Sequence, residues 1–539
     1  MSNNSNEPDD QNLGLGISIG LITSLIIGIS FTLLLHKFSP RIISIVSNYS
    51  VIIGLINGLL GGIVLGIYVG KLKDADLIAA LVSVLVFVAF TIYILFLIPV
   101  QQYLNTDVKW YYTTVKKKRI DSIPKLKQFI KETDQTILME GVNCSSNIHT
   151  RNDTNSVLLD LRSFNKVTID KKNETATVRG QSTWLDVLKE SSKHDLTPLV
   201  LQSAPWFTVA GSVSSNIHGR STSITKLMDV ILEIKFVDGN GVNHVVDRKH
   251  KLFKYLNGSY GLLGVIYEIK FKIFPIKSVH IEYKYFSSLQ NVKDVIFDPK
   301  TKFFHMNSVF YGTTKQIKDR YVCKIYTEIE NVNEKFDLQR YTDTTIAFKD
   351  YLLMNLLHKL GYLPFTDDLR WKAEISFNYT MKPKDTIISN SFSKFTYPNG
   401  IKNFEIQEFF IPIKHFVKFR NEFFKIFPYN LVFTGSRYVY TEDPCILDYA
   451  KKGIKILSFV VNYIANHDEY WKSIVQKLYK LMIKYDTTFH LCYNLQDGLT
   501  GTQIRKIFPK IKDFLQMKKE LDPKNKFRTR FYDYLIKDS

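Results

Sequence analysis

The sequence predicts an α+β protein carried behind three hydrophobic helices. Three observations point there. The first hundred residues hold three long uncharged stretches. From Trp110 onward, strand-like and helix-like segments alternate. No strand–loop–helix unit carries the spacing G-x-G-x-x-G, so a dinucleotide held in a doubly wound βαβ unit is disfavoured.

Residues 1–12 form a polar tail, and residues 13–105 read as a three-helix membrane anchor. The stretches Leu13–Leu35, Val51–Gly70 and Leu77–Val100 are each long enough to cross a hydrocarbon core of ~30 Å as a helix. The tail carries Glu7, Asp9 and Asp10, whereas a cleaved signal peptide starts basic and has a shorter apolar core. Lys37 and Arg41 follow the first stretch; Lys109, Lys116, Lys117, Lys118 and Arg119 follow the third. Basic flanks favour the cytosolic side, so the amino terminus is expected outside and the large carboxy-terminal part in the cytosol. Gly54, Gly58, Gly62, Gly66 and Gly70 recur every four residues, as do Gly16, Gly20, Ser24 and Gly28. Residues at that interval share a helix face, where a second backbone can approach closely. The first two helices can pack on each other or mediate self-association; the pattern leaves both open.

The chain of 539 residues is long enough for two globular domains beyond the anchor. Its net charge of +20, from 71 basic and 51 acidic residues, suits a surface resting on anionic lipid heads, or simply reflects a Lys-rich composition. A nucleic-acid partner is not expected, since no stacking motif accompanies the charge. Cys144, Cys323, Cys445 and Cys492 are widely spaced and imply neither a disulfide framework nor a zinc site.

Element by element, Pro124–Lys131 reads as a short helix with Ser122 as its cap, and Thr136–Glu140 as a strand. Ser182 is expected to cap a helix whose apolar face holds Trp184, Leu185 and Leu188. Leu199–Ser203 is strand-like. Val230–Val237 is a strand, followed by the turn Asp238-Gly-Asn-Gly241 and a second strand at Asn243–Val246. A strand over Gly264–Phe274 leads to a boundary near Pro275. Beyond it aromatic-rich strands alternate with helices expected at Ala347–Leu360, Ile413–Phe424 and Tyr470–Tyr485.

The most informative run is Thr208 to Arg220, TVAGSVSSNIHGR. So few bulky side chains allow the backbone to press against a flat or phosphorylated ligand. Upstream lies Val157-Leu-Leu-Asp-Leu-Arg-Ser-Phe-Asn-Lys-Val167, leading to a strand that ends at Gly180. Downstream lie Leu252-Phe-Lys-Tyr-Leu-Asn-Gly-Ser-Tyr-Gly-Leu-Leu-Gly-Val-Ile266 and Leu521-Asp-Pro-Lys-Asn-Lys-Phe527. In this order the four phrases resemble those of the vanillyl-alcohol-oxidase (PCMH-type) family of FAD oxidoreductases.

The resemblance implies an FAD-binding domain over residues 106–275, an antiparallel-sheet substrate domain over 276–488, and a segment 489–539 that returns to the first. It implies FAD contacts from Ser203, Thr208, Gly211, Ser212, Ser215, Asn216, Ile217 and His218, from the backbone of Val265 and Ile266, and from His490. A first turn, Gly141-Val142-Asn143-Cys144-Ser145, corresponds to the family's R-G-x-G-x-S; Glu140 stands at its arginine. Cys144 occupies the position of the flavin-linking His of covalent members, which implies non-covalent FAD. His218 is either a substrate contact beside the flavin or a structural histidine.

Within that family, the chain resembles aldonolactone oxidases (L-gulonolactone and D-arabinono-1,4-lactone oxidase) and decaprenylphosphoryl-ribose 2′-oxidases. Glu408-Phe-Phe-Ile-Pro412 and Ser436-Arg-Tyr-Val-Tyr440 resemble their phrases, making Glu408 and Arg437 expected polar contacts to substrate, or else a salt bridge within a sheet. His490-Leu-Cys-Tyr493 resembles H-W-G-K, with Tyr493 replacing the flavin-proximal lysine. The implied activity is FAD-dependent oxidation of a CH–OH group on a small sugar-like or lipid-linked substrate, with the electron acceptor unspecified. The replaced lysine and Glu140 leave open a catalytically degenerate flavin-binding scaffold.

Overall fold

The structure is a computed structural model, describing residues 116–139, 141, 155–202, 206–307, 310–312, 321–328, 384–386, 404–427, 431–464 and 468–537. These belong to one compact unit, Val108–Ile346 with Trp371–Ser539. The three membrane stretches and the helix expected at Ala347–Leu360 lie outside the described residues. Among the described residues no helix is long and apolar enough to cross a membrane.

The unit opens with β1 (Lys116–Arg119), α1 (Ile123–Glu132), β2 (Thr136–Met139) and β3 (Ser156–Asp160). The strands form a parallel sheet in the order β1-β3-β2. Helix α1 carries the chain from β1 to β2, the two strands that flank β3. Leu126 and Ile130 on α1 bury against Val157 and Leu159 of β3 and against Phe527 from the far end of the chain. Helix α1 starts where expected, after Ser122, but no side-chain bond caps it; Pro124 in its first turn is pre-set for helix instead.

Next come β4 (Val167–Asp170), β5 (Thr175–Arg179), α2 (Trp184–Ser192), β6 (Leu196–Thr197), α3 (Val209–Ser214), β7 (Ile231–Val237), β8 (Asn243–Asp247), α4 (Phe253–Leu256), β9 (Val265–Lys272) and β10 (Phe274–Pro275). Five of these strands make an antiparallel sheet, β4-β5-β9-β7-β8. Helix α2 is capped by Thr183 rather than Ser182. The Thr183 hydroxyl accepts from the Asp186 N–H, and the Asp186 carboxylate accepts from the Thr183 N–H, a reciprocal box that Ser182 cannot make one residue earlier. The buried face holds Trp184, Val187 and Leu188, with Leu185 only half-buried. The strand expected at Leu199–Ser203 sits earlier, at Leu196–Thr197, paired with β10. Pro198 has no N–H to continue the ladder.

The run TVAGSVS, expected as a small-residue turn, is helical over Val209–Ser214. The Thr208 side chain caps it by accepting from the Gly211 N–H. The glycine-rich phrase 257–264 then wraps the end of this helix: Gly258 N–H donates to Val213 O and Tyr260 N–H to Ser214 O. Gly264 has a φ of +143°, and a Cβ there would lie 2.3 Å from Val237 O, so no other residue fits.

The remaining elements are β11 (Ser278–Phe286), α5 (Leu289–Ile296), β12 (Thr301–Asn307), β13 (Phe310–Gly312), β14 (Tyr321–Glu328), β15 (Lys384–Thr386), β16 (Phe404–Pro412), α6 (Phe416–Ile426), β17 (Leu431–Gly435), β18 (Tyr438–Val439), β19 (Ile456–Ile464), α7 (Glu469–Lys484), β20 (Thr488–Phe489), α8 (Gly501–Ile507), α9 (Ile511–Leu521) and α10 (Arg530–Leu535). The strands form two antiparallel sheets, β12-β14-β11-β15 and β13-β17-β19-β16-β20, with β18 also on β19. Strand β16 lies between β19 and β20, and successive side chains point to opposite faces. Phe409 and Ile411 join the main core, Phe409 meeting Phe419 and Phe423 of α6 at 5.7 and 5.5 Å. Glu408 and Phe410 take the other face. That alternation places a carboxylate at the site.

Candidate functional site

Helix α3 and the residues after it carry most of the predicted contacts. Gly141 and Gly211 are exposed, and both lie against Thr208: a Cβ at either would fall 2.6 or 2.9 Å from Thr208 Oγ1. Two segments separated in sequence thus meet as bare backbone around one hydroxyl. The Ser212 hydroxyl is buried; it donates to Gln202 Oε1 (2.6 Å) or Thr208 O (2.9 Å) and accepts from the Trp184 indole N–H (2.9 Å). Ser215 Oγ donates to Gly211 O. Val142, Asn143, Cys144, Ser145 and Ser203 lie outside the described residues. Val265 and Ile266 open β9 and are buried; a Cβ at Gly180 would come within 2.5 Å of Ile266 O.

Asn216 ends the turn after α3 with a φ of +52°, and its Oδ1 is buried with no hydrogen-bond partner among the described residues. Ile217 and His218 follow, both buried. His218 Nε2 lies 2.9 Å from Glu408 Oε1, joining the first domain to the second across 190 residues of sequence. Burial opposes ionisation of Glu408. The facing His218 ring, then His490 and Arg437, outweigh it and lower the carboxyl from 4.5 to about 2. Arg437 Nη1 donates to His218 O at 3.4 Å, and its backbone N–H donates to Ser458 Oγ. Arg437 therefore stands with Glu408 around His218. Glu408 pairs with His218, and the Arg437 charge adds to what keeps it ionised.

His490 follows β20, and its N–H donates to Glu408 O at 2.9 Å. Its ring lies 5.1 Å from that of Tyr449, 5.6 Å from Tyr493 and 5.9 Å from Phe410. All five residues predicted for catalysis, His218, Glu408, Arg437, His490 and Tyr493, thus converge. Phe410 and Tyr449, stacked at 3.9 Å, were missed by sequence reasoning, as were Cys445, Asp448 and Lys226. Phe410 was within reach, because it sits two residues after Glu408 on one strand face. The others carried no local signal.

The donor set suits a flavin. Bare backbone at 141 and 211 beside a hydroxyl can take up a phosphorylated ligand, and Asn216 Oδ1 is a buried acceptor with no hydrogen-bond partner among the described residues. Residues 114–247 match the model of an FAD binding domain. FAD is the cofactor. Among solved structures, 6-hydroxy-D-nicotine oxidase from Arthrobacter nicotinovorans is similar, with a TM-score of 0.53 at 14% identity over 77% of this chain and 92% of that one. The fold is therefore the PCMH-type FAD-binding α+β fold with antiparallel sheets. No curated protein matches the sequence.

Proposed function

We propose that the protein is a membrane-anchored, FAD-dependent oxidoreductase that oxidises a CH–OH group on a sugar-like substrate: an aldonolactone, a polyol or a lipid-linked sugar. The observation that carries this reading is the buried His218–Glu408 pair at 2.9 Å, flanked by Arg437 and His490. Thr208, Gly141, Gly211 and the Asn216–His218 segment would hold the cofactor, non-covalently. Bound FAD supplies a hydride acceptor.

The protein's own groups supply the rest. Oxidation of an alcohol releases a hydroxyl proton, and the buried His218–Glu408 pair can take it up. Glu408 also fixes the orientation of the His218 ring. Arg437 offers donors to a substrate oxygen. Tyr493 offers a neutral phenol where the resembled lactone oxidases carry a lysine. Residues 13–105 would hold the enzyme at a bilayer, with the flavin domain cytosolic, close to lipid-linked substrates and to an acceptor in or near the membrane.

The test is anaerobic mixing of the FAD-loaded protein with an aldonolactone or a polyol. Bleaching of the flavin absorbance is expected; a flavin that stays oxidised with every such donor removes the proposal. Tyr493 and Glu140, both departures from the resembled pattern, favour a second reading, a flavin-binding membrane scaffold without turnover. That reading predicts bound FAD and no bleaching. Acid precipitation should leave the flavin in the supernatant, as non-covalent attachment requires. Flotation with liposomes tests the anchor: the full chain should rise with the lipid.

A further inference from the structure

We propose that Asp448, acting through Lys226 and Tyr449, is a positioning residue that holds the Asn216–His218 segment in its flavin-binding shape. The inference rests on the reading of that segment as a cofactor contact, and concerns residues that no motif singled out.

Lys226 is fully buried, and its ammonium is bonded to the Asp448 carboxylate, itself 3% exposed. Removing two charges from water is costly, and an apolar pair of the same volume would often pack as well or better. A pair kept here calls for a role beyond packing. Its location suggests which. Lys226 is the antiparallel bridge partner of His218, and the hairpin between them is closed by Gly219 N–H to Thr225 O at 2.8 Å and Leu227 N–H to Ile217 O at 3.1 Å. Lys226 and His218 both face the ring of Tyr449: Nζ lies 5.4 Å from its centroid and the imidazole 5.8 Å.

Asp448 does more than neutralise Lys226. Its Oδ2 accepts from the Cys445 N–H at 2.9 Å and its Oδ1 from the Ala450 N–H at 2.8 Å, folding residues 445–450 into a turn. The turn presents two groups to Asn216. The Tyr449 hydroxyl donates to Asn216 O at 2.7 Å, and Asn216 Nδ2 donates to Cys445 Sγ at 3.2 Å. Asn216 is in the left-handed region, a conformation that persists when its surroundings fix it. Two residues on, His218 must reach Glu408. The substrate domain thus grips the flavin segment at both ends of the hairpin, at Asn216 from the turn and at Lys226 from the carboxylate. Burial works against the Lys226 charge, but Asp448, then Cys445, raise it above the usual lysine range, so the grip stays ionic at neutral pH.

The experiment compares the parent with Asp448→Asn and Tyr449→Phe. FAD affinity is read by fluorescence titration, and the bound flavin by its visible spectrum and midpoint potential; neither readout needs a substrate. Asp448→Asn should weaken FAD binding about tenfold, and Tyr449→Phe a few-fold, each with a changed visible band. As a control, Asp522→Asn breaks an equally buried pair with Lys518 whose bonds stay within nine residues of it; it should lower the melting temperature and leave the flavin spectrum unchanged. Variants that fold and bind FAD with the parental affinity and spectrum overturn the inference. If Asp448→Asn fails to fold, Tyr449→Phe decides alone, since it deletes one oxygen from a ring that stays stacked on Phe410. A parent that takes up no FAD overturns the cofactor assignment itself, a result separate from parental behaviour in the variants.

Discussion

The carboxy-terminal helix α9 and the hairpin from His218 to Lys226 each carry a buried ion pair, and they differ in reach. On α9, Lys518 and Asp522 are one helical turn apart. Asp522 also accepts from the N–H groups of Lys526 (2.9 Å) and Phe527 (2.8 Å), while Lys518 Nζ donates to Phe527 O. Every partner lies within nine residues. The Lys526 ammonium then bonds to Ile130 O at the end of α1, stitching the chain's end to its first helix. In the hairpin, His218 pairs with Glu408 and Lys226 with Asp448, each across about two hundred residues. The charges respond differently. Burial lowers Lys518 despite Asp522, whereas Asp448 holds Lys226 above its usual range. A local pair fastens the fold; a long-range pair can also align two domains on a ligand.

That contrast can be broken or sharpened by substitution. The largest effect is expected at the site. Glu408→Gln should slow flavin reduction by a donor about 100-fold or more, with FAD still bound, because it removes the carboxylate of the His218–Glu408 pair that takes up the proton. Stopped-flow absorbance measures it, and a rate within a few-fold of the parent would break the assignment. Asp522→Asn should destabilise the fold by about 3 kcal/mol, the usual cost of stranding one member of a buried pair, with reduction kinetics unchanged. Chemical denaturation followed by far-UV circular dichroism reads it.

Acid should separate the pairs further. The Glu408 carboxyl is lowered in the folded protein from 4.5 to about 2, so its contribution to stability is fully present above pH 4.5. It is lost as pH falls from there toward 2. The parent should lose stability between pH 5 and pH 3 more steeply than Glu408→Gln; parallel slopes would contradict the ionised pair. The smallest effect is expected for Tyr493→Lys. A cation there should raise the flavin reduction rate several-fold if the phenol limits turnover. An unchanged rate would show that His218, Glu408 and Arg437 already supply the charge the reaction needs.

The sequence by itself determined whatever depends on neighbours along the chain. The local pattern gave α1 and α7 to within one residue at each end and the start of α2 to within two. The Asp-Gly-Asn-Gly turn gave the β7–β8 hairpin, the four ordered phrases gave the FAD-binding fold and His218, and the phrases at Glu408, Arg437 and His490–Tyr493 gave the other site residues. Local competition misled it where two caps were adjacent, at Ser182 and Thr183, and where Pro198 ended a strand early. Only the tertiary structure could decide that Glu408 pairs with His218, that Asp448 holds Lys226, and that Tyr449 bonds to Asn216. Those partners are chosen by how sheets and loops stack, and a pairing between groups two hundred residues apart leaves no periodicity, cap or turn residue by which a single chain could announce it.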